Sequence, residues 1–211
     1  MSETRDATDR SDLPELSATE DPEELEGSNA AADPPEGEET RDLPEPADEE
    51  PETRGMPARL SKQGAEFIAR FEGCVLKMYN DPTNNATIGI GHLIHMGPIN
   101  GREPAEFRQP ITRQRAIELL MQDANKAASA VHRLVRRPLN QPQVDALISF
   151  VFNVGEGNFA SSTLRRKLNA GDVGSVPHEL SRWTLSQGNR LPGLVRRRAA
   201  EGRLFSQGSY G

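Results

Sequence analysis

Cysteine is almost missing from this chain. Cys74 is the single one among 211 residues, so no internal disulfide can form, which fits folding in a reducing compartment. No apolar run approaches the ~20 residues a membrane-spanning helix needs, and no stable membrane insertion is expected. The N-terminus lacks the charged-then-apolar pattern of a secretory signal. Synthesis in a cytoplasm is therefore expected, and any target beyond the membrane requires delivery by something else. Residues 1–58 contain no Phe, Trp, Tyr, Ile or Val. Such a segment cannot bury enough apolar surface to offset the entropy of ordering it, and it is expected to be a disordered tail.

What is present is divided unevenly. The formal net charge is −7, from 25 basic and 32 acidic residues. Residues 1–58 hold 20 acidic and 4 basic residues, a net of −16, with 8 of the 16 prolines. The remainder then holds 12 acidic and 21 basic residues, a net of +9. An acidic tail precedes a basic domain, expected over 59–211. A basic surface suits an anionic partner such as nucleic acid, a membrane surface or a cell-wall polymer. The tail could also lie loosely over the basic domain and weaken its binding to an anionic polymer at low salt.

The folded part starts near Leu60. "SKQGAEFIARFEG" reads as a helix: Ser61 can cap it, Ala65, Ile68 and Ala69 share a face, and Gly73 can end it. From Lys77 to Ile99, Gly, Asn, Pro and β-branched residues alternate, which predicts short strands and tight turns. "ITRQRAIELLMQDANKAASAVHRLV" predicts one long helix with Thr112 as its cap, stopped before Pro138. "QPQVDALISFVFNVG" is the most apolar helix and should lie at the centre of the core. Shorter helices are expected at about 161–170, 176–185 and 193–204, with Gly171 and Pro177 as boundary residues. The fold class is α+β: a small β-containing lobe joined by a long helix to a mainly helical lobe.

Two carboxylates frame the strand region. Glu72 closes the first helix and Asp81 follows nine residues on, with Thr87 six further. Hydrolysing a glycosidic bond needs a proton donor on one side of the sugar, and a carboxylate on the other to activate water or to attack. A donor keeps its proton best in a partly apolar, enclosed place, which Glu72 beside Phe71 could supply. Asp81, in a polar turn with Asn80 and Thr83, should stay ionised, and Thr87 offers a hydroxyl beside the water. That spacing alone recurs by chance, and a single Glu at a helix end is usually a solvated charge.

The surrounding words narrow the choice. "EG-x2-LK-x-Y-x-D" at 72–81, "TIGIGH" at 87–92, "ALISFVFNVGEGNFASSTLRRKLNAGD" at 146–172, "RW" at 182–183 and "LPGLVRRRAAEGRLF" at 191–205 occur in order. Together they resemble the phage-type lysozymes, glycoside hydrolase family 24, over roughly 60–205. The resemblance implies a lysozyme-like fold and a muramidase. Such an enzyme cleaves the β-1,4 bond between N-acetylmuramic acid and N-acetylglucosamine of bacterial peptidoglycan, with no metal and no cofactor. By position it implies Glu72 as general acid, Asp81 as second carboxylate and Thr87 as the residue placing the water. It implies a structural ion pair of His92 with Asp123, and Asn153 as a substrate-binding side chain. One of Arg196, Arg197 and Arg198 would pair with Glu72. The family is described as inverting, which sets the carboxyl groups about 6.5–9.5 Å apart. The implied setting is a monomeric phage endolysin released to the wall through a hole made by a holin-type partner, or alternatively a bacterial enzyme such as a secreted toxin whose tail is an export or docking element.

Two stretches depart from the family pattern. "PTNNA" at 82–86 is more polar than the usual turn, and "HLIHMGPINGREPAEFRQPI" at 92–111 is longer and richer in proline. Other motifs lead elsewhere. "GEGNFA" at 155–160 fits a nucleotide-binding glycine pattern, but the preceding run has helical rather than strand spacing. "HLIH" at 92–95 offers two histidines with no third metal ligand in view. A nucleic-acid-binding module would explain the +9 charge, but aromatics for stacking are few and no binding motif is present. A fold that binds wall polymer without cutting it is the remaining rival, opposed by the intact Glu72, Asp81 and Thr87.

Overall fold

A computed structural model describes residues 56, 57, 59–186 and 188–211. The expected acidic tail lies outside the described residues, except for its last few. Met56 is buried in the core, and the Pro57 carbonyl sits 2.8 Å from His132 Nε2.

Helix α1 spans Lys62–Glu72. The Ser61 side chain accepts from the Gly64 N–H and caps it, and Gly73 ends it at φ 70°, a conformation open to glycine at little steric cost. Its buried face is Ala65, Phe67, Ile68 and Ala69. Three short antiparallel strands follow: β1 Val75–Asn80, β2 Ala86–Gly89 and β3 His92–His95, in that spatial order. Tyr79 pairs with Thr87, and Thr87 with Leu93. β2 is buried along its length, while β1 and β3 edge the sheet.

The single long helix expected over 111–135 is two helices in tandem. α2 covers Arg113–Asp123, capped by the Thr112 side chain, and α3 covers Asn125–Leu134. The joint is the buried Ala124, whose ψ of −8° turns the chain between them. The turn has a packing reason: α2 lies on α1, β2 and β3, whereas α3 lies on α4 and α5. One straight rod cannot follow both surfaces.

Helix α4, Gln141–Val154, is the core element. Asn140 and Gln143 form a reciprocal capping box at its start, which satisfies two otherwise unpaired donors. Val144 and the run from Ala146 to Val151 are all buried, and α4 packs on α1, α3, α5 and α8. Phe150 meets Phe159 and Trp183 edge-on, at 6.3 and 5.5 Å between ring centroids, a favoured aromatic geometry. Gly64 lets α1 and α4 approach closely: a methyl there would sit 2.5 Å from Asp145 Cγ.

After α4 the glycines do more than end a helix. Gly155, at φ 86°, redirects the chain straight into α5, Glu156–Ser161, which buries Phe159. α6 spans Thr163–Asn169 with Ser162 as its cap, α7 spans Val176–Ser181 with Pro177 in its first turn, and α8 spans Pro192–Gln207. The helix expected to reach residue 185 ends at Ser181. Leu185–Ser186 (β4) and Asn189–Arg190 (β5) instead form a small hairpin. Gly188, at φ 81°, supplies the reversal, as hairpin loops require. Among the described residues no helix is long and apolar enough to cross a membrane.

Candidate active site

The expected catalytic residues fall into two groups. Asp81 and Thr87 belong to the loop and strand that close the β1–β2 hairpin. The Asp81 N–H donates to the Asn85 carbonyl, and the Asn84 N–H donates to the Asp81 carbonyl. Asn84 takes φ 62°, which Asn tolerates better than most residues. Asp81 Oδ1 accepts from the Thr83 N–H (2.9 Å), the Thr83 hydroxyl (2.8 Å) and the Asn85 N–H (2.8 Å). Oδ2 has a single long contact, 3.5 Å, with Asn85 Nδ2. The Asn85 N–H, and then the Thr83 hydroxyl and N–H, hold the Asp81 carboxyl below its usual range, because each stabilises the charged form more than the neutral acid. Thr87 is 3% exposed, and its hydroxyl donates to the Asn85 carbonyl at 3.1 Å. The Asn85 backbone thus ties Asp81 to Thr87.

Glu72 sits in different surroundings. An enclosed apolar place was expected; instead its side chain is 23% exposed and bonded to a cation. Arg197 Nη1 on α8 lies 2.5 Å from Glu72 Oε1. Of the three candidate arginines, Arg197 is the one that meets Glu72. Its guanidinium carbon lies 5.6 Å from the centre of the Phe71 ring, so the apolar neighbour of Glu72 supports the arginine rather than enclosing the acid.

Behind Arg197 is a buried polar cluster. Arg197 Nε donates to Glu201 Oε1 (3.1 Å) and its Nη2 to the Ser149 carbonyl (3.1 Å). Glu201 is fully buried and also accepts from the Ser149 hydroxyl (2.7 Å) and from Arg198 Nη1 (2.6 Å). Arg198 donates through Nε to the Trp183 carbonyl and through Nη2 to Asn153 Oδ1, and lies 4.8 Å over the Phe150 ring. Burial works against the charge of both arginines. It prevails at Arg198, pulled below its ordinary range despite Glu201, whereas Glu72 and Glu201 hold Arg197 above it. Glu72 and Asn153, 81 residues apart in sequence, are thereby linked through Arg197, Glu201 and Arg198.

His92 Nδ1 lies 3.0 and 3.1 Å from the two oxygens of Asp123, tying β3 to the end of α2. The other histidine of "HLIH" has a separate carboxylate: His95 Nε2 is 3.3 Å from Oε1 of the buried Glu103. Clefts open in the surface of the described residues include two lined mainly by helices. One, about 250 Å³, runs between α7, α8 and β5; the other, about 410 Å³, is bordered by Lys62, Arg70, Arg113 and Tyr210. Neither has Glu72, Asp81 or Thr87 in its lining.

Several of these residues went unnoticed in the sequence. Glu201 had a local signal, since it stands four residues after Arg197 and three after Arg198, both favourable spacings for helical ion pairs. Asn85 acts on Asp81 and Thr87 mainly through its backbone N–H and carbonyl, which residue type does not announce, and Ser149 had no signal because its role depends on which helices meet.

Comparison with known proteins bears on the family and the fold. The family model described as Phage lysozyme matches residues 69–201. The endolysin of Acyrthosiphon pisum secondary endosymbiont phage 1 is 34% identical over 152 residues, covering 69% of this chain and 97% of that protein. The endolysin of Salmonella phage P22 is 37% identical over 147 residues, covering 70% and 97%. Among solved structures, the muramidase domain of SpmX from Asticaccaulis excentricus is similar at TM-score 0.59 and 35% identity, covering 72% of this chain and 99% of that one.

Proposed function

The chain belongs to the phage lysozyme family and is by that membership a peptidoglycan-cleaving lysozyme; from this premise we propose the bond it cuts and the residues that cut it. The bond is the β-1,4 link between N-acetylmuramic acid and N-acetylglucosamine. Glu72 delivers a proton to the leaving oxygen, Asp81 activates water on the opposite face of the sugar, and Thr87 helps to place that water. The observation that carries this reading is the contrast between the two carboxylates. Asp81 is held ionised by N–H and hydroxyl donors on Oδ1, while Oδ2 retains capacity to accept from water. Glu72 is fixed from behind by a buried guanidinium. That cation would stabilise the negative charge Glu72 acquires as its proton leaves.

Asn153 has its carbonyl oxygen bonded to Arg198, which orients the amide so that its N–H₂ can serve a sugar hydroxyl or acetamide. The Thr87 hydroxyl, already donating to Asn85, can act toward water only as an acceptor in this arrangement. A water so held directs a proton at Thr87 and turns its lone pairs elsewhere, a geometry suited to attack. Inversion requires the two carboxyl groups to stand about 6.5–9.5 Å apart. The setting proposed is that of a monomeric endolysin, delivered to the wall through a holin-type partner.

Clearing of a peptidoglycan suspension tests the assignment. Glu72→Gln should lower the clearing rate by about 10²–10⁴-fold with the fold intact, and wild-type product should appear first as the α-anomer by NMR. Equal clearing by wild type and Glu72→Gln would remove the assignment, leaving a wall-binding protein as the better description.

A further inference from the structure

We propose that Glu201 is a positioning residue for the proposed reaction, one buried carboxylate that sets both the cation behind Glu72 and the cation behind Asn153. The inference rests on the reading of Glu72 as proton donor, and its test separates the two.

Glu201 is fully buried, yet it touches neither Glu72 nor Asn153 by any bond described above. Its two oxygens are divided between two tasks. Oε1 accepts from Arg197 Nε and the Ser149 hydroxyl; Oε2 accepts from Arg198 Nη1. Arg197 then presents Nη1 to Glu72, and Arg198 presents Nη2 to Asn153. A guanidinium is a rigid planar fork. Fixing one N–H edge on Glu201 therefore fixes the direction of the other edge. Without Glu201, two arginines on one turn of α8 would repel each other in a dry interior.

The charge count points the same way. With Glu72 ionised, the cluster holds two carboxylates and two guanidinia and is neutral. The charged groups facing Glu72 and Glu201 across this cluster are Arg197 and Arg198 of α8. Helix α4 contributes the uncharged Ser149 and Asn153. On α1, Arg70 is engaged with the Tyr210 carbonyl, and on α7, Glu179 is engaged with Lys167 and Arg182. Glu201 therefore sets how much of the Arg197 charge is left for Glu72. A residue serving only as a buried brace would contribute to stability and leave the protonation of Glu72 unaltered.

Glu201→Gln keeps the shape and removes one negative charge. Its amide nitrogen would also face an arginine N–H, so one of the two arms must let go. With soluble peptidoglycan fragments as substrate, kcat should fall by about 10²-fold, the scale of a small misplacement. The alkaline limb of the pH–rate profile should move to lower pH, because the cluster then carries one more net positive charge. Glu201→Asp, which keeps the charge but shortens the reach, should lower kcat while leaving that limb in place. Circular dichroism melts, with rates taken well below each melting temperature, restrict the comparison to folded molecules. A folded Glu201→Gln with wild-type kcat and limb would overturn the inference. Should Glu201→Gln not fold, a Glu201→Asp enzyme with wild-type kcat would overturn it equally. Glu72→Gln runs alongside: if that variant keeps the wild-type rate, the donor assignment falls and the role of Glu201 with it. An inactive Glu72→Gln beside an unaltered Glu201→Gln removes the Glu201 inference alone.

Discussion

The small lobe and the helical lobe hold their carboxylates by opposite means. Asp81 is gripped by donors two and four residues away, in a turn at the molecular surface. Glu72 is held by a guanidinium 125 positions distant, itself 4% exposed and braced by a buried acid. The first arrangement is written into a five-residue loop and forms wherever that loop forms. The second exists only when α1, α4 and α8 are packed together. The reaction proposed here thus draws one carboxylate from local chain geometry and the other from the global fold. Loss of stability in the helical core should disturb Glu72 well before it disturbs Asp81.

The strongest way to sharpen that contrast is to change Asp81 alone. In Asp81→Asn the side-chain oxygen can still accept from the Thr83 and Asn85 N–H groups, so the turn should persist, and the melting temperature should fall only modestly through loss of the charge those donors favour. Activity should fall by about 10²–10⁴-fold, since an amide cannot take the proton from water. A clearing assay beside a thermal melt reads both. A large drop in melting temperature would show that the turn depends on the charge, and the distinction between the lobes would blur.

Next in size is a test of the helical lobe by way of Asp145. Among the described residues this fully buried carboxylate pairs with no cation; four neutral donors surround it. The Ser61 N–H and hydroxyl, Gln141 Nε2 and the Tyr210 hydroxyl all point to it. Burial, and then the bond to Asp145, push the Tyr210 phenol up to about 12. Through these bonds α4 secures both the cap of α1 and the C-terminal end of the chain. Asp145→Ala strands several buried donors and should cost about 3 kcal/mol or more. Gly64→Ala should also destabilise, because its new methyl would stand 2.5 Å from Asp145 Cγ. Denaturant unfolding measures both. A loss below about 1 kcal/mol for Asp145→Ala would mean that water replaces the carboxylate without penalty. The brace on α1 would then have to be sought elsewhere.

The same division explains what could be read in advance. The caps Ser61 and Thr112, the end of α1 at Gly73 and the central place of α4 are consequences of residue type over a few positions, and the sequence was sufficient for them. So was the narrowing of the Glu72 partner to three consecutive arginines, but the choice of Arg197 needed the packing of α8. The hairpin at 185–190 had a signal in Gly188 between short polar stretches, outweighed by the helical spacing before it. The bend at Ala124 had none: alanine is the best helix former, and the turn arises because α2 and α3 rest on different lobes. The apolar enclosure expected for Glu72 also failed for a tertiary reason. Phe71 is adjacent in sequence, but its ring lies against Arg197.

The smallest effect expected lies in the small lobe, where His95 and Glu103 link β3 to the long loop before α2. The Met96 carbonyl, and then the Glu103 carboxylate, raise His95 above its ordinary 6.5. The Asn100 N–H, 2.6 Å from Oε1, and His95 in its turn lower Glu103 below its ordinary 4.5. The signs follow by linkage. A raised histidine contributes its full stability below pH 6.5 and loses it as pH climbs through its folded value. A lowered carboxylate contributes fully above pH 4.5 and loses it as pH falls through its folded value. Both contributions are complete only between about pH 4.5 and 6.5. The melting-temperature difference between wild type and Glu103→Gln should therefore be largest near pH 5–6 and narrow on either side, most visibly toward pH 8. Hydrogen exchange at the Asn100 amide should follow the same course, since that N–H donates to the titrating carboxylate. The effect should be slight, because His95 is 29% exposed and its pairing is screened by solvent. A difference that stays flat from pH 4 to 8 would mean that Glu103 holds the loop through Asn100 alone. The small lobe would then owe its carboxylate geometry entirely to backbone donors, as it does at Asp81.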